Sequence, residues 1–302
     1  MKKLSIALVQ WLSHGWGIVL AAFVIRLITA GHFLFQASVR KSCQQFYHAL
    51  FPDAGRLEIL RLVWGQYQEF GAQYIDRLSY HHGKKLHFEQ EGWQYIKETL
   101  DTKRMGVLLM SHMGNWEAGA LSLRERHTPV MILLGAKENE SIDNDMRQQM
   151  RASGVRLVSV QENSTDPFAM IDAYRFLKKK GLVAMSVDRV WHEAQPVIEC
   201  SFLGGTVRVP EAPFAMALAA NVPLIVFFII RLGSMHYREV IFKPITWPDD
   251  SRYNKAHAMR SAAETYLSYL HDMLRKYPEH WHHFEPFVSF DRCATGDDGK
   301  KV

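Results

Sequence analysis

Five short segments of the chain, 106–112 (GVLLMSH), 128–135 (TPVMILLG), 154–160 (GVRLVSV), 181–188 (GLVAMSVD) and 222–230 (VPLIVFFII), are apolar almost throughout. A strand with one wet face alternates polar and apolar residues, so runs that are apolar at nearly every position need cover on both faces. Polar helical stretches at 144–153 and 167–180, and an apolar one at 209–220, lie between them. That alternation predicts an α/β fold, a mainly parallel central sheet flanked by helices. HYREVIF (236–242) reads as a further strand of mixed character, and 253–276 as a closing helix.

The stretch 38–100 reads as helices. In 55–78, Leu57, Leu60, Val63, Tyr67, Phe70 and Tyr74 recur at spacings of three and four, the period of an amphipathic helix. Its plain reading is a packing face; a groove for an apolar ligand is the alternative.

Ahead of this, after Lys2 and Lys3, no formally charged residue occurs from Leu4 to Ile25. The run is long enough to cross a bilayer, but Gln10, Ser13, His14, Gly15 and Gly17 interrupt it and Arg26 follows. Trp11 and Trp16 within it, with Lys2, Lys3, Arg40 and Lys41 around it, are anchor chemistry for a lipid–water boundary. The expected role is a membrane-associated helix lying in the interface; a true span, a cleaved signal and a buried helix are the competing readings. The expected organisation is a membrane-associated helix over 1–40, an α/β domain over 41–290 and a polar tail over 291–302.

With 302 residues the chain can bury a full core. Cys43, Cys200 and Cys293 form no CxxC pair, which leaves neither a disulfide framework nor a thiolate metal site. The formal charge of +5 favours anionic partners. No zinc-finger spacing, RGG tract or phosphate-binding loop is present, so no nucleic-acid partner is expected.

The chemistry concentrates in GVLLMSHMGNWEAGALS (106–122). A strand delivers His112 to its carboxyl end, Gly114 permits a tight turn, and a helix starts near Asn115 or Trp116. Catalytic groups of such sheets collect at that edge. Glu117 follows five positions after His112, and the turn can fold it back under the imidazole. A carboxylate on one ring nitrogen fixes the tautomer while the other nitrogen takes a proton. The pair then resembles two-thirds of a serine–histidine–acid triad in which a substrate hydroxyl or amine replaces the serine. A buried histidine beside a helix-capping glutamate is the plain alternative.

HMGNWE (112–117) resembles the first motif of the glycerolipid and lipid A acyltransferase superfamily, a histidine and an acidic residue with four residues between them. With Asn115, Trp116 and glutamate as the acid, it is similar to the late (lauroyl/myristoyl) lipid A acyltransferase branch. The resemblance extends over about residues 105–287 and implies a glycerolipid-acyltransferase-like fold. It also implies transfer of a fatty-acyl group from an acyl carrier protein or coenzyme A thioester to a lipid or glycolipid acceptor. His112 and Glu117 would be catalytic, at the cytoplasmic face of a bacterial inner membrane, with no cofactor required. Arg147 or Arg151 falls where family members place an arginine that braces the acid or pairs with substrate phosphate. Asp188 and Arg189 stand where relatives carry Asp-Gln. SFLGGTVRVPEAPFAMALAANVPLIVFF (201–228), with Gly204, Gly205, Arg208 and Pro223, resembles the third and fourth motifs. YPEHWHHFEPF (277–287) resembles a Pro-Glu-Gln-Trp segment. Arg189 in place of glutamine, and HWHHFEP in place of an arginine-rich ending, depart from the lipid A pattern; a related branch acting on aryl-polyenes, flavolipin and other lipids shares Asn-Trp-Glu.

Asn115, Trp116, Arg147, Arg151, Asp188, Arg189, Gly204, Gly205 and Arg208 are therefore the candidate substrate-binding residues. Arg189 and Arg208 offer guanidinium forks for phosphate or the pantetheine arm, or ordinary surface ion pairs. Gly204 and Gly205 suit a turn, with an oxyanion-binding amide as the second role. Trp116 is read first as core wall and then as lining of the acyl entrance. His192, His280, His282 and His283 are read as aromatic surface packing ahead of metal ligands. A thioesterase using the same pair, and a non-catalytic membrane-binding protein, are the rival functions.

Overall fold

The computed structural model describes residues 15–101, 105–135, 150, 152, 155–160, 167–179, 181–190, 194–248 and 253–290. Helices α1 (Gly15–Phe35), α2 (Ala37–Leu50) and α3 (Arg56–His81) lead into strand β1 (His87–Glu91) and helix α4 (Trp93–Asp101). Then come β2 (Gly106–Met110), α5 (Trp116–Glu125), β3 (Val130–Gly135), β4 (Arg156–Val160), α6 (Pro167–Lys178) and β5 (Leu182–Ser186). The hairpin β6 (Val197–Phe202) and β7 (Gly205–Pro210), helix α7 (Ala212–Ala220), β8 (Leu224–Gly233), β9 (His236–Ile241) and α8 (Lys255–Lys276) complete the order.

Seven strands form one sheet in the order β1-β9-β8-β2-β5-β3-β4, and every neighbouring pair is parallel except β8 with β9. The five apolar segments are β2, β3, β4, β5 and β8, as their composition predicts. Alternate residues serve opposite faces. Val107, Leu109, Val183, Met185, Val226 and Phe228 join one core with α2, α3, α6, α7 and α8. Leu108, Met110, Ile132, Ala184, Ile225 and Ile229 join the other with α4 and α5. Each fully buried aliphatic chain contributes roughly 2 kcal/mol, so both periodicities are enforced by burial.

Two departures from the sequence reading are informative. His87–Glu91 forms a strand inside the stretch read as helical. HFEQE carries no apolar run, only Phe88 is half-buried, and the strand is held by pairing with β9 and by Glu89 on Arg238 and His236. The apolar stretch beginning at Val209 starts its helix at Ala212, because Val209 and Pro210 finish the hairpin strand β7. The expected helix at 144–153 lies outside the described residues apart from Met150 and Ala152.

Gly17–Phe35 is long and apolar enough to cross a membrane, and few of its residues are buried. Val19, Phe23, Leu27 and Phe35 are exposed, whereas Thr29 is buried against α3, where Gln68 donates to its hydroxyl at 3.0 Å. Helix α1 thus packs one side on α3 and leaves a broad, mostly apolar side open, as a membrane-associated helix does.

Candidate active site

Strand β2 ends at Met110, opposite Ser186 of β5. Continuing that parallel register by two residues sets His112 beside Asp188. The His112 backbone N–H donates to Asp188 Oδ2 at 2.6 Å, and ring Nδ1 lies 3.1 Å from both carboxylate oxygens. Ser186 Oγ donates to Oδ1 at 2.9 Å. Burial pushes the Asp188 carboxyl up, but the His112 imidazole, His283 and the His112 amide more than offset it, leaving the group well below the usual carboxylate range. An ionised acceptor at Nδ1 holds the proton there and makes Nε2 the basic nitrogen.

The sequence reading gave this orienting position to Glu117 and a substrate-facing position to Asp188. The two carboxylates lie differently in the structure. Asp188 has no side-chain exposure and sits on Nδ1, while Glu117 is drawn to α3. Asn115 caps α5, accepting from the Glu117 and Ala118 N–H groups at 3.1 and 3.2 Å. Its cap places Glu117 in the first turn, where the helix dipole favours a carboxylate. Arg77 then takes Glu117 in a two-pronged ion pair, Nε to Oε2 at 2.9 Å and Nη2 to Oε1.

The turn between His112 and α5 is clamped on two sides. Gly114 has φ +80°, and a Cβ there would collide with the Ile229 carbonyl, so this position requires glycine. Asn115 N–H donates to Ile229 O at 2.9 Å. From the other side, the segment after α8 pairs with the turn: Gly114 N–H donates to His280 O at 2.8 Å and His282 N–H to His112 O at 2.7 Å. Trp281 is buried between, stacked on Phe46 and His283.

His282 and His283 are thus buried and His280 is half-buried, rather than forming the surface packing expected of them. Desolvation holds the His280 imidazole down at about 4, with Arg231 adding to it. Burial likewise lowers His282 and His283. The His283 ring stands edge-on to His112 at 5.6 Å. Among the described residues no group of three His, Cys, Asp or Glu side chains is placed to hold a metal ion.

A groove of about 790 Å³ opens between α1, α3 and the segment after α8. Ile25, Ile28, Val39, Tyr67, Phe70 and Phe284 line it, and Arg77 and Glu285 bring charge to it. The amphipathic face of α3 packs as expected, with Val63 and Tyr67 in the core, and Tyr67, Phe70 and Tyr74 also line the groove. Leu57, read as part of that face, is exposed.

Of the other candidates, Arg189 is ion-paired with Glu285 at 3.6 Å, beside the groove. Trp116 is half-buried against the core shared by α4 and α5. Gly204 forms the β6–β7 turn with φ +77°, and Arg208 is exposed on β7, opposite Glu199. A Cβ at Gly205 would come within 2.6 Å of the Ser289 carbonyl oxygen. The hairpin is tied to the segment after α8 through Thr206 and Ser289. Arg147, Arg151, His192 and Cys293 lie outside the described residues.

Residues 20–286 match the family described as bacterial lipid A biosynthesis acyltransferase. The chain belongs to that family. Comparison with curated proteins returns no match. As a member of the lipid A biosynthesis acyltransferase family it is an acyltransferase, and HMGNWE (112–117) begins just past the end of β2, at the carboxyl edge of the sheet. Asp188, Arg77 and His283 are spatial neighbours of His112 and Glu117 whose positions depend on tertiary contacts. The sequence signal for Asp188 was its place two residues after Met-Ser in GLVAMSVD, matching His112 after Met-Ser in GVLLMSH to within one register step.

Proposed function

We propose that the protein moves a fatty-acyl group from an acyl carrier protein or coenzyme A thioester onto a hydroxyl or amine of a lipid or glycolipid acceptor. It does so at the cytoplasmic face of the bacterial inner membrane, with α1 seated in the lipid. The observation that carries this reading is the His112–Asp188 pair at the carboxyl edge of a sheet whose helical side holds a large apolar groove. His112 Nε2 takes the acceptor proton as the acceptor oxygen or nitrogen attacks the thioester carbonyl. The tetrahedral intermediate collapses, the carbon–sulfur bond breaks, and the imidazolium returns the proton to the thiolate. Asp188 stabilises the cation in between. Glu117 holds Arg77 beside the groove, where the guanidinium meets an anionic part of donor or acceptor.

The groove is the slot for the acyl chain. Its lining is apolar, it borders the membrane helix, and Arg77 belongs to both the groove and the Glu117 pair. Ile28→Trp, on the exposed side of α1, fills part of that slot. The expected result is a shift of preference toward shorter thioesters, read by mass spectrometry of the acyl-lipid formed from a mixture of chain lengths. An unchanged product distribution removes the groove from the reaction. Free fatty acid formed at the same rate with and without lipid acceptor would instead identify a thioesterase.

A further inference from the structure

The polar groups between α3, α5 and β9 form a closed circuit. From the Glu117 carboxylate it passes to Arg77 and along the α3 backbone to Asp76. Tyr237 Oη donates to Asp76 Oδ2 at 2.8 Å and accepts from Asn115 Nδ2 at 3.2 Å. Asn115 Oδ1 then accepts from the Glu117 N–H. The circuit thus starts and ends on one residue, holding Glu117 by its side chain and its amide together. Arg231 Nε donates to Asp76 Oδ2 at 2.7 Å, and Arg231 Nη1 to Glu69 at 3.1 Å, which fixes the α3 end.

We propose that Tyr237 is a positioning residue for the acyl-transfer turn, its hydroxyl being the link that closes this ring. The inference rests on the proposed reading of the site. Tyr237 is fully buried in the core shared with α4 and α5, where a hydroxyl without partners is costly. The hydroxyl has two partners: Asn115, which takes the Glu117 amide, and Asp76, whose chain neighbour Arg77 takes the Glu117 carboxylate. By accepting from Asn115 Nδ2 it also decides which way the Asn115 amide faces. The oxygen is thereby turned to the start of α5 and the cap is preserved. Burial and the adjacent Asp76 push the Tyr237 hydroxyl far above its usual range, so it remains a donor throughout the working pH range. A small cavity lined by Asp76, Arg77, Asn115, Glu117 and Tyr237 adjoins the ring, leaving these side chains room to shift if it is cut.

Tyr237→Phe removes one oxygen and keeps the ring volume. The full chain in detergent, supplied with lauroyl and palmitoyl thioesters of both carriers and a bacterial lipid extract, provides the assay. The expected result is a fall in kcat of roughly ten-fold or more, as small misplacements of a reacting turn produce, with KM for the thioester changed by less than about two-fold. Asn115→Ser keeps an N-cap acceptor but not the donor to Tyr237, and is expected to lose a similar factor. The double variant should be no slower than the worse single, because both cut one ring. Amide hydrogen exchange at Glu117 and Ala118 should quicken in Tyr237→Phe while the middle of α3 is unaffected. Wild-type kcat and exchange in Tyr237→Phe overturn the proposal. So do losses that multiply in the double variant, or a rate that simply tracks the folded fraction in a thermal melt. His112→Ala separates the two readings: if it stays active, the mechanism assigned to His112 fails, and the ring is judged by exchange alone.

Discussion

The end of β2 is served by two carboxylates of opposite design. Asp188, from the neighbouring strand, has a side chain with no exposure and engages an imidazole and its amide; Glu117, from the first turn of α5, keeps 12% exposure and engages a guanidinium. In the dry position water does not compete with the protein's own donors, which strengthens the hold of Asp188 on His112 Nδ1. In the damper position the carboxylate is paired with a charge that also borders the groove. Under the proposed mechanism, proton handling belongs to the strand edge and substrate placement to the helix junction.

The sharpest way to break this division is Asp188→Asn. An amide of the same shape no longer enforces Nδ1–H, and loss of tautomer control in a triad-like arrangement costs on the order of 10³–10⁴ in kcat. Single-turnover rates with folding checked by circular dichroism should show this loss. A variant within ten-fold of wild type would return the orienting role to Glu117.

Arg77 probes the other carboxylate. Arg77→Ala is expected to slow transfer by roughly ten- to hundred-fold, since it releases Glu117 from its two-pronged partner and strips charge from the groove. Arg77→Lys should recover only part of it, because an ammonium cannot match both carboxylate oxygens at once. If lysine restores the full rate, Arg77 acts as a bare charge and the ring argued for Tyr237 loses its side-chain arm. The effect on KM should exceed that seen for Asp188→Asn.

The strand edge was legible in the sequence to the extent that it is local. The apolar runs of β2, β3, β4, β5 and β8 announce burial on both faces, and Gly114 announces its turn because no other residue fits beneath Ile229. What was not legible depends on partners far along the chain. The pairing of His112 with Asp188 is a register between strands 76 residues apart, and the pairing of Arg77 with Glu117 spans 40. The pattern of each segment alone fits several registers. Strand β1 escaped for a different reason: pairing with β9 and the exposed Glu89 on Arg238 and His236 hold it, so HFEQE carries no apolar signature. The histidines after α8 looked wet because histidine is usually at least half-exposed; here Trp281 and the packing of α2 and α3 draw them inside.

Those histidines give a third, weaker test through acid stability. His280 is held at about 4 when folded against a usual value of 6.5. Between these values the unfolded chain binds a proton that the folded chain does not, so stability rises with pH across this window and is lost as pH falls through it. His282 and His283 are shifted in the same direction and add to the loss. Since one pKa unit corresponds to about 1.4 kcal/mol, His280 alone contributes on the order of 3 kcal/mol between pH 6.5 and 4. Thermal melts across that range should show the fall, and His280→Gln should flatten part of it. Because His280 O and His282 N–H clamp the His112 turn, amide exchange at the turn should quicken with acid before the far strands do. A melting temperature independent of pH would mean that these imidazoles are wet.

The smallest effect is expected at a third carboxylate, which extends the comparison into solvent. Glu285 meets Arg189 at 3.6 Å with 61% of its side chain exposed. Water and salt screen such a pair, and its net contribution is within about 1 kcal/mol. Glu285→Gln should therefore alter kcat and melting temperature only slightly, by about five-fold in rate at most. The three substitutions Asp188→Asn, Glu117→Gln and Glu285→Gln remove the same charge at three depths below the surface. If burial governs how strongly a carboxylate acts on this site, their effects must fall in that order at low salt, and only the last should fade as salt is raised. A Glu285→Gln loss as large as that of Asp188→Asn would mean that Glu285 contacts the substrate itself, and the groove's charged end would have to be redrawn around it.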